Sequence, residues 1–341
     1  MLFNKRILLR LIWHPLVLVS VLFIFLPWIF PLFGGYTHLA TEVLIWSIFV
    51  LGFNLVLGYT GLPSFGHGAY FGVGAYIIGL VQFHIFRGLL IPLLMGVLAG
   101  GLAGAVVGVF LAKKRGIYFA LLTIAFSQLS YFVAFRWDSV TGGEDGLTGI
   151  DRMPLQIPGL FSVDLVDPLK FYFFVYVIFV VCTFIIWIMV HSPFGRVLVA
   201  IKQNETRAQC LGYNTALYKW AVFAISGVFA GLAGSLNSLL INGAFYSSMH
   251  WAQSGNVVIM SLLGGGLVNF FGPILGAVVF IVLRDLISTI TEHWMLIYGL
   301  LWVFILIFMP EGILGVLTKK RLGTKLWGLV KKNQPVTEKQ G

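Results

Sequence analysis

The chain has 341 residues, 59% of them hydrophobic and only 10% charged, with a net charge of +10 and a mean hydropathy of +0.96. A soluble domain carries about 25% charged residues, so this composition excludes a soluble fold. At about 20 apolar residues per helical span it leaves room for roughly ten spans in one membrane domain.

Lys5, Arg6 and Arg10 precede an apolar stretch, Leu16 to Phe33, that is too long for a signal peptide and has no small-residue cleavage site after it, so it reads as a retained first span. Apolar runs between turn and charge signals predict helices over 13–33, 38–57, 62–83, 88–111, 116–135, 169–190, 216–240, 254–270, 272–290 and 294–310. The expected fold class is therefore all-α, a polytopic transmembrane helical bundle. Alternating spans put the basic residues on one side. Of the 22 Lys and Arg residues only Arg87, Arg136, Arg152, Lys170 and Arg284 fall elsewhere, which predicts that both termini are cytoplasmic.

The layout predicts a transmembrane domain over 1–318 and a basic cytoplasmic tail over 319–341. Within the domain, 136–168 forms an acidic outer loop and 191–215 an inner loop. The outer loop divides the spans five and five, and an odd number per half inverts the second half, the arrangement of an inverted repeat. The third span of each half is interrupted by glycine, as expected of broken helices lining a central path.

Gly96, Gly100, Gly104 and Gly108 recur every fourth residue and share one helix face, either as a sliding surface or as a close-packing stripe. The segment from Leu51 to Gly68 mixes glycine, proline and polar residues at membrane depth, where irregular backbone needs protein or a wet cavity around it. Asn54, Ser64 and His67 are thus candidates for the solute path, as are Thr123, Gln128 and Asn237. The alternative for each, and for Ser127, Ser238 and Asn242, is interhelical hydrogen bonding. Arg284 and Asp285 are costly within a span and, as sequence neighbours, each needs a partner on another helix.

The inner loop reads as an amphipathic helix. Ser192 can cap it, Pro193 suits its first turn, Gly212 offers a left-handed stop, and Val197, Ile201, Ala208 and Leu211 recur on one face. That face needs burial against the membrane surface or a partner protein. No catalytic or metal site is expected: the seven histidines are scattered and Cys182 and Cys210 show no ligand spacing. No Gly-Lys dipeptide exists to build a Walker A loop, so any ATP-derived energy must come from another subunit. No cofactor and no nucleic acid is implied.

Six stretches resemble the LivM-type permease subunits of branched-chain amino acid ATP-binding-cassette importers. They are Leu51 to Tyr76 (LGFNLVLGYTGLPSFGHGAYFGVGAY), Gly116 to Thr123 (GIYFALLT), Thr141 to Ile150 (TGGEDGLTGI), Ser192 to Asn214 (SPFGRVLVAIKQNETRAQCLGYN), and Gly264 to Gly276 (GGGLVNFFGPILG) with Pro310 to Gly315 (PEGILG). The resemblance implies that the inner-loop helix couples the spans to a cytoplasmic ATPase, with Arg196, Glu205, Arg207, Ala208 and Gly212 as coupling residues. The importer signature E-A-A-x-x-x-G places its second alanine at Ala208 and its glycine at Gly212. Thr206 and Arg207 stand where Glu and the first Ala belong, and Glu205 comes one residue early.

The implied partners are a homologous second permease subunit of the LivH type, two cytoplasmic ATP-binding subunits, a periplasmic or lipid-anchored solute-binding protein, and membrane lipid. The outer loop would be a docking or gating element for that binding protein, or else a solvated connector. The implied location is the bacterial inner membrane, and branched-chain amino acids lead the implied solutes, ahead of urea, short amides and other small carboxylates. An ion-coupled secondary transporter is the competing class, and would need intramembrane carboxylates, of which only Glu42, Asp285 and Glu292 are near the spans.

Overall fold

A computed structural model of the chain describes residues 15–32, 35–157, 161–265, 269–309 and 312–315. Lys5, Arg6, Arg10, the tail over 319–341, both ends of the expected first span and parts of the last two resembling stretches lie outside the described residues.

Helices α1 (Pro15–Ile24) and α2 (Leu26–Leu32) precede α3 (Thr37–Asn54), which runs into a π-helical turn, Leu55–Tyr59. Then come α4 (His67–His84), α5 (Leu90–Leu111), α6 (Gly116–Arg136) and the single turn α7 (Asp138–Thr141). After strands β1 (Leu147–Thr148), β2 (Leu155–Ile157) and β3 (Phe161–Val163) follow α8 (Pro168–His191), α9 (Pro193–Cys210) and α10 (Thr215–Ile241). Strand β4 (Gly243–Ala244), a 3-10 turn (Tyr246–Met249), α11 (Trp251–Gly264), α12 (Gly272–Ile290) and α13 (Trp294–Phe308) complete the order.

The described chain is mostly helical, and six helices in it are long and apolar enough to cross a membrane: Thr37–Tyr59, Leu90–Leu111, Gly116–Arg136, Pro168–His191, Thr215–Ile241 and Gly272–Ile290. This is a multi-pass membrane protein. The other four expected spans differ from their hydropathy. The first divides at Phe25, beside Pro27, which cannot donate the backbone hydrogen bond a continuous helix needs. The third starts only at His67, and the eighth ends at Gly264 because Gly265 turns left-handed at φ +83. The tenth is the short α13.

The expected all-α class is also modified by two antiparallel ribbons. Leu147 and Thr148 pair with Ala244 and Gly243, and Leu155–Ile157 pairs with Phe161–Val163. Pairs of two or three residues are too short for alternation to register in a sequence.

The core is a three-helix contact of α4, α5 and α10 built on small residues. A Cβ placed on Gly100 would lie 2.5 Å from Gly231 Cα and 2.6 Å from Gly227 O, and one on Gly104 would lie 2.5 Å from Phe223 O. Gly74 likewise faces the backbone of Gly231, and Ser235 Oγ donates to Gly74 O at 3.0 Å. The stripe from Gly96 to Gly108 therefore packs backbone against backbone, which supports the close-packing reading.

Within the 136–168 segment, Gly149 to Arg152 fold onto the helices. Ile150 is buried against Gly79, and Gly149 N and Ile150 N donate to Asn242 O. Asn242 itself is the left-handed cap of α10 at φ 55. Arg152 closes the same helix end, its Nε donating to Leu239 O and Nη2 to Leu240 O, both at 2.8 Å, with the guanidinium over the Phe171 ring. Burial lowers the Arg152 guanidinium from its ordinary value, but arginine stays charged in proteins, so the cap is ionic. Arg152→Ala is expected to cost about 2 kcal/mol, the scale of hydrogen bonds from a charged donor. The check is the thermal midpoint of the purified chain in detergent, and an unchanged midpoint would mean that these carbonyls do not need the arginine.

Candidate functional site

Between the π-helical turn and α4 the chain runs irregularly through Thr60 to Gly66, and this break gathers four of the six expected path residues. His67 is fully buried. Ser226 Oγ donates to Gly52 O at 2.8 Å, so it accepts from His67 Nε2 at 2.9 Å. Ser64 Oγ accepts from Gly66 N and lies in hydrogen-bond contact with His67 Nδ1 at 3.0 Å. The bond to Ser226 places a proton on Nε2. Phe53, Tyr70 and Phe223 enclose the ring.

Thr123 of α6 accepts from Phe65 N at 2.9 Å and donates to Ala120 O. Asn54 Oδ1 accepts from Ser261 of α11 at 2.9 Å, and Gly58 packs directly on the Asn54 amide, leaving no room for a side chain. Gly68 N donates to Ser254 Oγ at 2.8 Å, which brings the start of α4 against the start of α11. Asn54, Ser64, His67 and Thr123 are therefore all engaged with protein groups that satisfy the broken backbone.

Gln128 lies beyond Thr123 on α6, half-buried, and its Oε1 is buried without a hydrogen-bond partner among the described residues. Asn237 is half-buried near the far end of α10, and the break does not gather it.

The second feature is α9, which is two helical pieces rather than one. Asn204 leaves helical geometry at φ −162 and ψ 101, and its Oδ1 caps the second piece by accepting from Arg207 N at 2.9 Å. Val197, Ile201 and Ala208 are buried together against Tyr218. Leu211, expected on that face, is instead 72% exposed, because the helix ends at Cys210 and Gly212 turns left-handed at φ +89. Ser192 makes no side-chain cap; its hydroxyl donates back to Met189 O.

Among the expected coupling residues, Arg196 and Arg207 are exposed and Ala208 is buried. Glu205 is held inside the chain, with Oε2 2.8 Å from Arg115 Nε and Oε1 2.9 Å from Lys219 Nζ. Thr215 Oγ1 also donates to Glu205 Oε1. Across the break, Lys202 Nζ donates to Gly58 O at 2.7 Å.

Arg284 finds a charged partner on another helix, and Asp285 a hydroxyl just before α3. Arg284 Nη2 donates to both Glu42 oxygens at 2.8 and 2.7 Å, and Tyr36 OH donates to Asp285 at 3.3 Å. No group of acidic, cysteine and histidine side chains suited to a metal occurs among the described residues, and both cysteines are free.

A family model described as branched-chain amino acid transport system / permease component matches residues 35–306, which takes in the break, α9 and the glycine core together. The chain belongs to this permease family. It is 30% identical over 319 residues to the high-affinity branched-chain amino acid transport system permease protein LivM of Salmonella typhimurium, covering 88% of this chain and 75% of that protein. Against the protein of the same name from Escherichia coli K12 the identity is 28% over 324 residues, with the same coverage. No solved structure matches significantly.

Sequence reasoning missed four residues of this permease's site: Ser226, Ser254, Ser261 and Lys202. Ser226, Ala230, Gly234 and Ser238 recur every fourth residue beside Gly227, Gly231 and Ser235, the same signal that marks the α5 stripe. The role of Lys202 had no sequence signal, because its acceptor is a backbone carbonyl 144 positions away.

Proposed function

We propose that this chain is the membrane-spanning subunit of a bacterial inner-membrane ABC importer for branched-chain amino acids. In this reading ten spans cross the membrane, both termini and α9 are cytoplasmic, and a homologous second permease, two ATP-binding subunits and an external binding protein complete the machine. The domain boundaries follow the charge pattern, with the permease over 1–318 and the basic tail after it.

One observation carries the coupling role. Helix α9 is fixed to the bundle by one buried face and by Glu205, yet presents Arg196 and Arg207 outward, and Leu211 and Tyr213 stand exposed just after its end. An exposed leucine beside exposed arginines, held by a pinned helix, suits a groove on a partner protein. Arg207→Glu together with Leu211→Glu is expected to abolish capture of the ATP-binding subunits from detergent while leaving the melting point of the chain unchanged. Undiminished capture would remove α9 as the docking element.

The inverted repeat is supported by matched openings of the two short helices. Ser64-Phe65-Gly66 leads into His67 at the first position of α4, and Ser247-Ser248-Met249 of the 3-10 turn leads into His250 just before α11. The paired state of Glu42 favours an ATP-driven importer over an ion-coupled carrier, which needs a carboxylate free to take up its ion. Within the path, Asn54, Ser64, His67 and Thr123 hold the break, and Gln128, whose oxygen has no hydrogen-bond partner among the described residues, is the candidate solute contact.

A further inference from the structure

The two pieces of α9 share a buried face against Tyr218 but make separate polar attachments to the bundle. The second piece, Glu205 to Cys210, is pinned by the Glu205 ion pairs to Arg115 at the start of α6 and Lys219 of α10. The first piece, Pro193 to Gln203, reaches the broken end of α3 through Lys202. Its ammonium bonds Gly58 O, and its stem lies so close under Gly61 that a Cβ there would be 2.9 Å from Lys202 Cγ. Gly61 must also be glycine for its φ of +75. Between the two attachments sits Asn204, the one residue of α9 with non-helical backbone angles.

The contacts continue inward. Gly58 rests on the Asn54 amide, Asn54 accepts from Ser261 of α11, and the start of α11 bonds the start of α4 beside His67. A displacement of the first piece of α9 thus has an unbroken line of hydrogen bonds and close contacts to both short helices.

We infer that Lys202 is the positioning residue that transmits movement of α9 to the π-helical turn of α3, with Asn204 as the hinge that lets the first piece move while Glu205 holds the second. This rests on the proposed coupling role of α9. The π-helical turn is suited to the task, since its wide hydrogen-bonding ring is a local departure from regular helix that one carbonyl contact can bias.

The test uses the full importer reconstituted with its ATP-binding subunits, second permease and binding protein, comparing wild type with Lys202→Met, which keeps the stem and removes the ammonium. Hydrogen exchange is followed in residues 55–62 and 193–210, without nucleotide and with ATP trapped by vanadate. In the wild type both segments are expected to change on trapping. In Lys202→Met the 193–210 response should persist and the 55–62 response disappear, with uptake down about tenfold, the scale of losing one hydrogen bond to a charged group. ATP hydrolysis should continue.

Lys202→Arg should restore both responses, and Gly61→Ala, which presses on the same stem from the other side, should reproduce the loss. A 55–62 response that survives in Lys202→Met overturns the Lys202 link while leaving α9 as the coupling element. Absence of a 193–210 response in the wild type overturns the coupling reading, and the link falls with it.

Discussion

Gly100→Ala is expected to destabilise the isolated chain by about 3 kcal/mol, the upper part of the range for overpacking. The added carbon would sit 2.5 Å from Gly231 Cα and 2.6 Å from Gly227 O, and both are backbone atoms of α10 that cannot rotate away. Relief requires α5 and α10 to separate, and Gly96, Gly104 and Gly108 share that face, so the whole contact would loosen. Gly101→Ala should be milder, because its nearest neighbour is the Val228 Cγ2 methyl at 2.6 Å, a side-chain end that can shift. Gly255→Ala meets nothing within 4 Å inside α11 and should stabilise by about 0.5–1 kcal/mol through helix propensity alone. Thermal unfolding of the three variants in one detergent gives the order. Equal melting points for Gly100→Ala and Gly255→Ala would contradict a backbone-on-backbone core.

Lys219→Met is the second large effect. Its side chain is 1% exposed and bonds Glu205 Oε1 at 2.9 Å, while Glu205 is 13% exposed, so removing the ammonium strands a mostly buried carboxylate. Breaking one side of such a pair costs about 3–5 kcal/mol; here the half-exposed Arg115 keeps its contact with Oε2, which places the cost near the lower figure of about 3 kcal/mol. Arg115→Ala removes an exposed partner and should cost about 1 kcal/mol or less. The double variant Lys219→Met with Glu205→Gln should recover part of the loss, because the stranded charge is gone. A double-mutant cycle on melting points measures this, and simple additivity would show that the ion pair does not fasten α9 to α10.

What the sequence made legible here follows from the range over which each signal acts. Gly96 to Gly108 was readable because helix periodicity alone puts those positions on one face. The positions of α5, α6, α8, α10 and α12 followed from runs of apolar residues with charged punctuation. Arg284 was readable as a residue in need of a partner, but Glu42, 242 positions away, could be chosen only by the fold. The break before α4 was visible in Pro63 and its neighbouring glycines, yet whether Ser64 and His67 met solute or protein depended on Ser226, 159 residues from His67.

Two local features were masked by averaging. Hydropathy ran the third span from 62 because Leu62 and Phe65 are apolar, although the backbone there is irregular as far as Gly66. Amphipathic spacing ran α9 as one helix through Asn204, because the buried faces of its two pieces nearly align and only the side-chain cap at Arg207 N reveals the division. Glu205 illustrates a third limit. A charged residue in an exposed-looking loop reads as a partner contact, whereas two basic residues from separate helices, Arg115 and Lys219, close around it.

On the proposed function, this chain moves solute only when α9 is driven by nucleotide-dependent subunits. The most direct test of this dependence is leucine uptake into proteoliposomes, comparing the complete importer supplied with binding protein and internal or external ATP as orientation requires, against the chain alone under an imposed proton or sodium gradient. Uphill uptake is expected in the first case, abolished by vanadate, and none in the second. Uphill accumulation by the chain alone, driven by the ion gradient, would contradict that dependence.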